Sequence, residues 1–555
     1  YAAHVDRLEQ GFEEAYCAMM NPVLATRLAQ RMRALVGVPR RLVVRNTSTY
    51  RDLQRDALSA DALRDARVRG RILDQLLRST IVAEHQPPQW AVNQAEVRDM
   101  EQLDVPYFGY PLGSTEVTGG GHRLPALLAD DGLAAAVARL QSLSLHDLVW
   151  QRRLIRASVY AGAATVHGMP SAMPSQPQTD GAALDRVSPP RRVLTVGHTD
   201  RPSRAAAGAA ICSQILSSAV RRPGGDATWL VLSVVPGANV LQLRSASVGL
   251  YDGLAGIVAW LMAASVGDTS LVALAQTASA PLCRLAQQDA SYRQQRQARS
   301  LGMGITGLGG VLRLFEVLAR TPAAAGQDWR GAAESLADAL SDEVVASDRR
   351  LDVMAGVAGI IGPLARLHRD HPRFGSAEVL RRTAMHLLRA QDAAYGTWTV
   401  PVCPRPLTGL SHGASGMGLA LLEAGVALGD ERLLDAGARA FAFEASVFDP
   451  ATANWPDFRT GAPAGSCFTT WCHGAPGIAL ARVRALQLAP GHADAAQWHL
   501  DVTAAADAII AHPLGPIDQL CCGNLGRAMI LQLLGDWASE PRWLAAAEAI
   551  TGAVV

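Results

Sequence analysis

From residue 193 onward, apolar positions recur at helical spacing, and the pattern itself recurs. Six apolar helical stretches each begin at a G-x-x-G step. The first three are Gly253/Gly256 (YDGLAGIVAWL), Gly307/Gly310 (TGLGGVLRLF) and Gly356/Gly359 (AGVAGIIGPLARL). The last three are Gly413/Gly416 (SHGASGMGLALL), Gly474/Gly477 (CHGAPGIALARV) and Gly523/Gly526 (CGNLGRAMILQLL). The first glycines follow one another at 54, 49, 57, 61 and 49 residues. Such a period holds two helices and two connections. Amphipathic Ala/Leu/Arg segments lie between the glycine-led ones, such as Arg330 to Leu351 and Ser376 to Ala390. The pattern predicts a mainly α protein, an α/α toroid with glycine-led inner helices and an arginine-faced outer layer. A seventh step would fall at roughly residue 577, which suggests a toroid cut short at its C-terminus.

Residues 1 to about 165 predict mixed, mostly helical structure. Helical patterns run over Tyr1 to Met20, Leu53 to Leu77 and Asp131 to Tyr160. The β-branched run within Arg41 to Thr47 predicts a strand, and the Pro/Gly-rich residues 105 to 122 predict a loop. Between Gly168 and Arg191, Pro, Ser and Gly are frequent and periodicity is lost. The expected organisation is therefore a first domain over 1–167, a linker over 168–192 and the toroid over 193–555. Tyr1 falls inside a helical pattern, which suggests a fragment lacking its N-terminal part.

Composition narrows the functions. Lys+Arg number 51 and Asp+Glu 50, a net charge of +1. Neither nucleic acid nor an anionic membrane is expected as the main partner. There is no lysine, so all 51 basic residues are arginine. Schiff-base chemistry and a phosphate-binding lysine are excluded within this chain. No signal peptide is legible. The most apolar stretch, Val248 to Val266, contains Asp252 and three glycines, so it predicts a buried helix rather than a membrane span.

Four of the eight cysteines fall between residues 467 and 522. Three repeats carry reactive residues beside their glycines: Ser411-His412-Gly413, Trp471-Cys472-His473-Gly474 and Cys521-Cys522-Gly523-Asn524. In a toroid the N-termini of the inner helices share one face, so Cys472, Cys521 and Cys522 converge. Three thiolates at helix N-termini suit Zn²⁺ with one position open to an exchangeable ligand. Three other readings stay open: buried core thiols, a Cys521–Cys522 disulfide, and His473 in place of one cysteine. His412 is a candidate general acid or base, or a histidine merely satisfied at a helix start. Asp252 holds the equivalent place in the first repeat, as a helix cap or as a mechanistic residue. Cys403 and Cys467 lie outside the pattern and are expected to be structural.

With these motifs in view, the chain resembles a class II lanthipeptide synthetase of the LanM type. The cyclase half resembles the LanC family over roughly 193 to 555, on the S-H-G, W-C-x-G and C-C-G-N motifs just given. The first domain resembles the C-terminal part of the kinase-like dehydratase domain, on Arg41 to Thr47 within RLVVRNTSTY, on DVPYF (Asp104 to Phe108) and on LIRASVYA (Leu154 to Ala161). The resemblance implies phosphorylation and elimination at Ser and Thr of a precursor peptide, then addition of its Cys thiols to the dehydro residues. It implies zinc on Cys472, Cys521 and Cys522, with His412 as the acid and Asp252 orienting it or aiding proton transfer. It implies Arg41 and Thr47 in phosphate elimination. From the residues alone these two read as a strand arginine and a turn threonine. ATP and Mg²⁺ are expected only for a dehydratase part preceding Tyr1.

The implied partner is a leader-bearing precursor peptide, with export machinery as a further one, in the bacterial cytoplasm. The sequence departs from the family pattern at three places. Phe468 stands where stand-alone cyclases usually carry Arg, His473 where they carry Tyr, and Cys522 where His is common. Two alternatives differ in kind. One is another thiol-activating zinc toroid, such as a prenyltransferase, against which the 5% aromatic content argues. The other is a non-catalytic zinc-containing peptide-binding scaffold.

Overall fold

The computed structural model describes residues 4–77, 89–124, 127–128, 130–166, 201–221, 225–235, 240–265, 268–287, 301–324, 326–401, 403–463 and 465–554. The chain divides into two compact units, Tyr1–His167 and Gly168–Val555. The expected linker over 168–192 lies outside the described residues.

The first unit combines helices with one antiparallel sheet. Its strands run in the order β1 (Pro39–Leu42), β2 (Phe108–Pro111), β3 (Val117–Gly119) and β4 (His122–Leu124). Three of these lie within or next to the stretch expected to be a loop. A tight turn at Gly120 and Gly121, both with positive φ, joins β3 to β4. Phe108, Val117 and Leu124 then pack with Val92 and Ala95 in a small core. The expected helix over Leu53 to Leu77 is broken into Thr47–Ala57, Ala60–Arg64 and Ala66–Leu73, with a 3₁₀ turn at Asp74–Leu77. Asp65 ends one helix and starts the next, its carboxylate accepting from Arg67 N at 2.8 Å. A capping side chain within a periodic stretch outcompetes helix continuation.

The second unit is the expected ring of helix pairs. Its inner helices are Leu254–Ala264, Leu308–Leu318, Ala358–Asp370, Ala414–Leu428, Ala475–Leu488 and Asn524–Ala538. The outer partners are Thr269–Gln287, Trp329–Asp338, Phe374–Arg389, Glu431–Ser446, Ala495–Ala511 and Pro541–Val554. Each inner helix packs on its outer partner and on the next inner helix. The expected outer helix over Arg330 to Leu351 breaks at Ser341, whose hydroxyl caps a short helix, Asp342–Ala346. A β-hairpin absent from the sequence reading, Leu230–Val235 with Val240–Ser245, precedes the first inner helix.

The loops entering the inner helices are stitched together by backbone hydrogen bonds. Leu250 N donates to Ile305 O at 2.9 Å, Ile305 N to Val353 O at 3.0 Å and Val353 N to Ser411 O at 3.1 Å. Ser411 N then donates to Cys472 O, and Trp471 N to Cys521 O, both at 3.1 Å. One donor of each loop is satisfied by the next loop, so the repeats are held in register. This close approach is what the glycines allow. A Cβ on Gly359 would lie 2.1 Å from Val353 O and 2.7 Å from Gly304 Cα. Both are backbone atoms of stitched loops and cannot rotate away.

Gly359→Ala should therefore lower unfolding stability by about 1–3 kcal/mol. Gly491→Ala, where a Cβ meets nothing within 4 Å, should change it by less than about 0.5 kcal/mol. Chemical denaturation of both variants beside the parent checks this pair.

Candidate metal centre and its cleft

The stitched loops carry the reactive residues onto one face of the ring. Cys472 sits two residues before the N-cap of the fifth inner helix, and Cys521 and Cys522 immediately precede the N-cap of the sixth. Gly474, the N-cap between Cys472 and its helix, has φ +88, and a Cβ there would lie 1.7 Å from Phe468 O. Only glycine turns the chain sharply enough to aim the Cys472 loop inward.

The three sulfurs meet. Cys472 Sγ lies 2.6 Å from Cys521 Sγ and 3.5 Å from Cys522 Sγ, and the last two are 3.1 Å apart. All three cysteines are free. Among the described residues this is the one group of three or more potential ligands converging within 4.8 Å. The donor set fits a soft divalent metal. A tetrahedral zinc at about 2.3 Å from each sulfur would separate the sulfurs to about 3.8 Å, a small outward movement from the observed triangle. The cluster shares its charge unevenly among the three sulfurs. Hydrogen bonds from Cys472 and Cys522 push the Cys521 thiol down to about 3, and the same contacts push Cys472 up. Cys522 is lowered by Cys472 but raised by Cys521 and burial, and stands at about 11.

Tyr251, in the loop entering the first inner helix, lies beside the three cysteines. The first and last described repeats thus meet at the sulfur cluster. Burial and the neighbouring thiols push the tyrosine above its ordinary range.

His412 stands at the start of the fourth inner helix. Its Nδ1 is 2.6 Å from Asp352 Oδ2, in the loop entering the third. Asp352 is 3% exposed, and its other oxygen accepts from Ala355 N at 2.8 Å and Gly356 N at 3.3 Å. The imidazole is thereby held by a carboxylate that is itself held by a helix start. The His473 ring lies 5.9 Å from the His412 ring, and burial, aided by Arg459 and His412, pushes it down to about 4.

Among the described residues no hydrogen bond joins Asp252 to His412 or to the three cysteines. Its Oδ1 accepts from Ser247 Oγ at 3.0 Å, and it is absent from the residues lining the cleft. Nor does it cap the first inner helix, whose N-cap is Gly253. The carboxylate that orients His412 is Asp352, which the sequence reading missed. Its signal was there: it precedes Gly356 in the third repeat, yet no His or Cys next to it drew attention.

A cleft of about 350 Å³ opens over the cluster, lined by Tyr251, His412, Arg459, Phe468, Cys472, Cys522 and Arg527 among others. Behind it lies a buried ionic network. Glu444 accepts from Gly409 N at 2.8 Å, Ser415 N at 3.0 Å and the Ser415 hydroxyl. Arg482, wholly buried in the fifth inner helix, donates Nη2 to Glu444 at 3.0 Å and Nε to Asp501 at 2.8 Å. The network clamps the Ser411–His412 loop to the helix that follows Cys472. Burial pushes the Glu444 carboxyl up, and Arg482 opposes that push.

In the first unit, Thr47 is the first residue of the helix Thr47–Ala57, behind the Asn46 cap, and is exposed. Arg41, in β1, is exposed with its guanidinium carbon 5.7 Å from the Tyr107 ring centre. The expected strand over Arg41 to Thr47 is thus shifted to Pro39–Leu42. The neighbouring Arg45 is committed to the buried Glu96, at 2.6 Å.

A ring of glycine-led helix pairs with a three-thiol cluster at its inner N-termini defines the class of protein. Residues 244–554 match the family described as Lanthionine synthetase C-like protein, and the chain belongs to that family. Residues 1–110 match a domain of unknown function, DUF4135, and the two matches in this order are those of a LanM-type synthetase. No curated protein matches the chain. Among solved structures, nisin cyclase is similar at 16% identity and TM-score 0.35, over 47% of this chain and 75% of that one. A UGL variant with the saccharide dGlcA-Glc-Rha-Glc is similar at 13% identity and TM-score 0.33, over 51% of this chain and 78% of that one. No helix of the described residues is long and apolar enough to cross a membrane.

Arg482→Met would leave Glu444 and Asp501 buried without their cation. We expect a loss of about 3–5 kcal/mol, read as a lower denaturation midpoint, with loosened metal binding in the same variant.

Proposed function

We propose that this chain is a zinc-dependent thioether-forming cyclase acting on a precursor peptide, in which Cys thiols add to dehydroalanine or dehydrobutyrine residues. The observation that carries this reading is the convergence of three free thiols from two adjacent repeats, with an imidazole–carboxylate pair in the same ring of loops. Cys472, Cys521 and Cys522 would hold the metal, leaving a fourth place for a peptide thiol. Bound there, zinc supplies a deprotonated and therefore nucleophilic sulfur at neutral pH.

The chain's own residues supply the rest. The cleft admits an extended peptide to the open side of the cluster. Attack by sulfur on the β-carbon pushes electrons onto the carbonyl, and the α-carbon then needs a proton. His412 is the acid. Asp352 is its positioning residue, accepting from Nδ1 so that Nε2 is the nitrogen that exchanges the proton. The first unit belongs, in this reading, to the dehydratase, with Arg41 and Thr47 at the elimination step and ATP and Mg²⁺ serving the phosphorylation that precedes it. The domain limits proposed are 1–167 and 193–555 about the 168–192 linker. A bacterial cytoplasmic setting with export machinery accords with a peptide modified before secretion.

A purely structural zinc would need a fourth protein ligand. Among the described residues the cluster offers three.

Three outcomes follow for a predehydrated, Cys-containing precursor followed by mass spectrometry with thiol alkylation. The parent should bind about one zinc per chain and lose alkylatable thiol, whereas Cys472→Ala should do neither. His412→Gln should lower turnover by about 10²–10⁴-fold with zinc retained, and Asp352→Asn by about 10–10²-fold. Zinc bound by the parent without thiol loss would reject the cyclase reading. For Cys522→His, a ligand set with one negative charge fewer should cyclise more slowly at full zinc occupancy. Equal or faster turnover would show that ligand charge does not set sulfur reactivity.

A further inference from the structure

The cleft holds a cation whose placement answers a question left by Phe468. We infer that Arg459 is the catalytic residue that stabilises negative charge on the carbonyl oxygen of the dehydro residue under attack. The inference rests on the cyclase reading above.

Arg459 belongs to the long connection between the fourth outer and fifth inner helices, which also carries Cys472. A bridge between Pro456 and Cys467 draws the two arms of this connection together and sets Arg459 against Phe468. The guanidinium carbon lies 4.4 Å from the Phe468 ring centre, so the arginine rests on an aromatic face. Asp457 grips it from the side, with Nε to Oδ1 and Nη2 to Oδ2 both at 3.0 Å. Asp457 is 3% exposed, whereas Arg459 is 28% exposed. Its Nη1 makes no hydrogen bond among the described residues. The result is a cation fixed on two sides that keeps a free donor in the cleft.

The geometry singles out this arginine. Arg527 also lines the cleft, but its Nη1 donates to His512 O at 3.0 Å and its Nη2 to Asn524 Oδ1. Its donors are spent on holding the loop before the sixth inner helix. Arg459, by contrast, lines the same cleft as His412, Cys472 and Cys522 with its Nη1 unspent.

The chemistry requires such a group. As the S–Cβ bond forms, the Cα=Cβ electron pair moves into Cα=C and the carbonyl pair moves onto oxygen. The proton from His412 then enters at Cα and the carbonyl re-forms; the proton given up by the peptide thiol restores His412, so the product is a thioether with no other reactant consumed. Around a cluster of thiolates, charge gathering on that oxygen is opposed unless a cation is already in place. A guanidinium held by Asp457 and Phe468 needs no reorganisation when that charge appears.

The test uses the full chain loaded with Co²⁺ or Zn²⁺ and a predehydrated peptide bearing one Cys. Turnover is read by mass spectrometry, and thiol binding by the cobalt–thiolate charge-transfer band. For Arg459→Gln we expect kcat to fall by about 10²-fold, KM to stay within threefold, and the cobalt band to be unchanged. Phe468→Leu leaves the Arg459–Asp457 pair intact but removes the platform, and should lower kcat by about 3–10-fold. If Arg459→Gln turns over within threefold of the parent, or loses KM or the cobalt band while kcat holds, the inference is overturned and the cyclase reading survives. Should Arg459→Gln fail to fold, parental kcat in Phe468→Leu overturns it. A parent that binds metal and peptide thiol but forms no thioether rejects both.

Discussion

The relay of backbone hydrogen bonds through the loops that enter the inner helices is the constraint on which the rest of the second unit depends. It runs from Leu250 through Ile305, Val353 and Ser411 to Cys472, and from Trp471 to Cys521. Each bond is modest, but a buried peptide group left unpaired is costly, so a loop has little freedom to slide past its neighbour. The residues that flank each relay point inherit this register. His412 comes one residue after Ser411, and Asp352 one residue before Val353, so the imidazole and its carboxylate meet because their loops are bonded. Cys472 and Cys521 are themselves relay members. Glycine at the crossings is what lets the loops approach this closely.

The electrostatics of the cleft follow from that placement. The inner helices present their N-termini to the sulfur cluster, and the partial positive charge there favours thiolates. Three thiolates exceed what helix ends alone can balance, which is why a divalent metal suits the donor set. Arg459 and Arg527 then serve different ends with the same functional group. One is pinned by Asp457 and Phe468 with a donor to spare, while the other is consumed in local hydrogen bonds.

The Glu444–Arg482–Asp501 network stiffens the same region from behind. It joins the start of the fourth inner helix, the middle of the fifth and both of their outer partners. A buried network of this kind costs desolvation, so it is poor evidence for net stability. What it secures is position. Glu444 receives the amides of Gly409 and Ser415, which bracket the His412 loop, and a shift of either would leave a buried charge unsatisfied.

The repeat was legible in the sequence because glycine and apolar period are local signals, and six copies of a local signal add up. The mainly α ring, the inner and outer layers and the shared face of the reactive motifs were all deducible at that level. Helix boundaries were less so, since a single capping residue such as Asp65 or Ser341 overrides a long periodic stretch. The sheet formed by β1 to β4 was hidden because its strands are short and lie among glycines that read as loop. The sequence also singled out the candidates for chemistry: Cys472, Cys521, Cys522 and His412. Which of them touch was settled by tertiary structure. Asp252 stands one residue before a glycine step and Asp352 four residues before one, and neither spacing tells which carboxylate reaches His412. Only the hydrogen bonds between neighbouring loops bring Asp352, and not Asp252, to the His412 ring. Phe468 likewise reads as the loss of a charge until the fold lays Arg459 across it, because contacts between residues distant along a loop depend on how that loop closes.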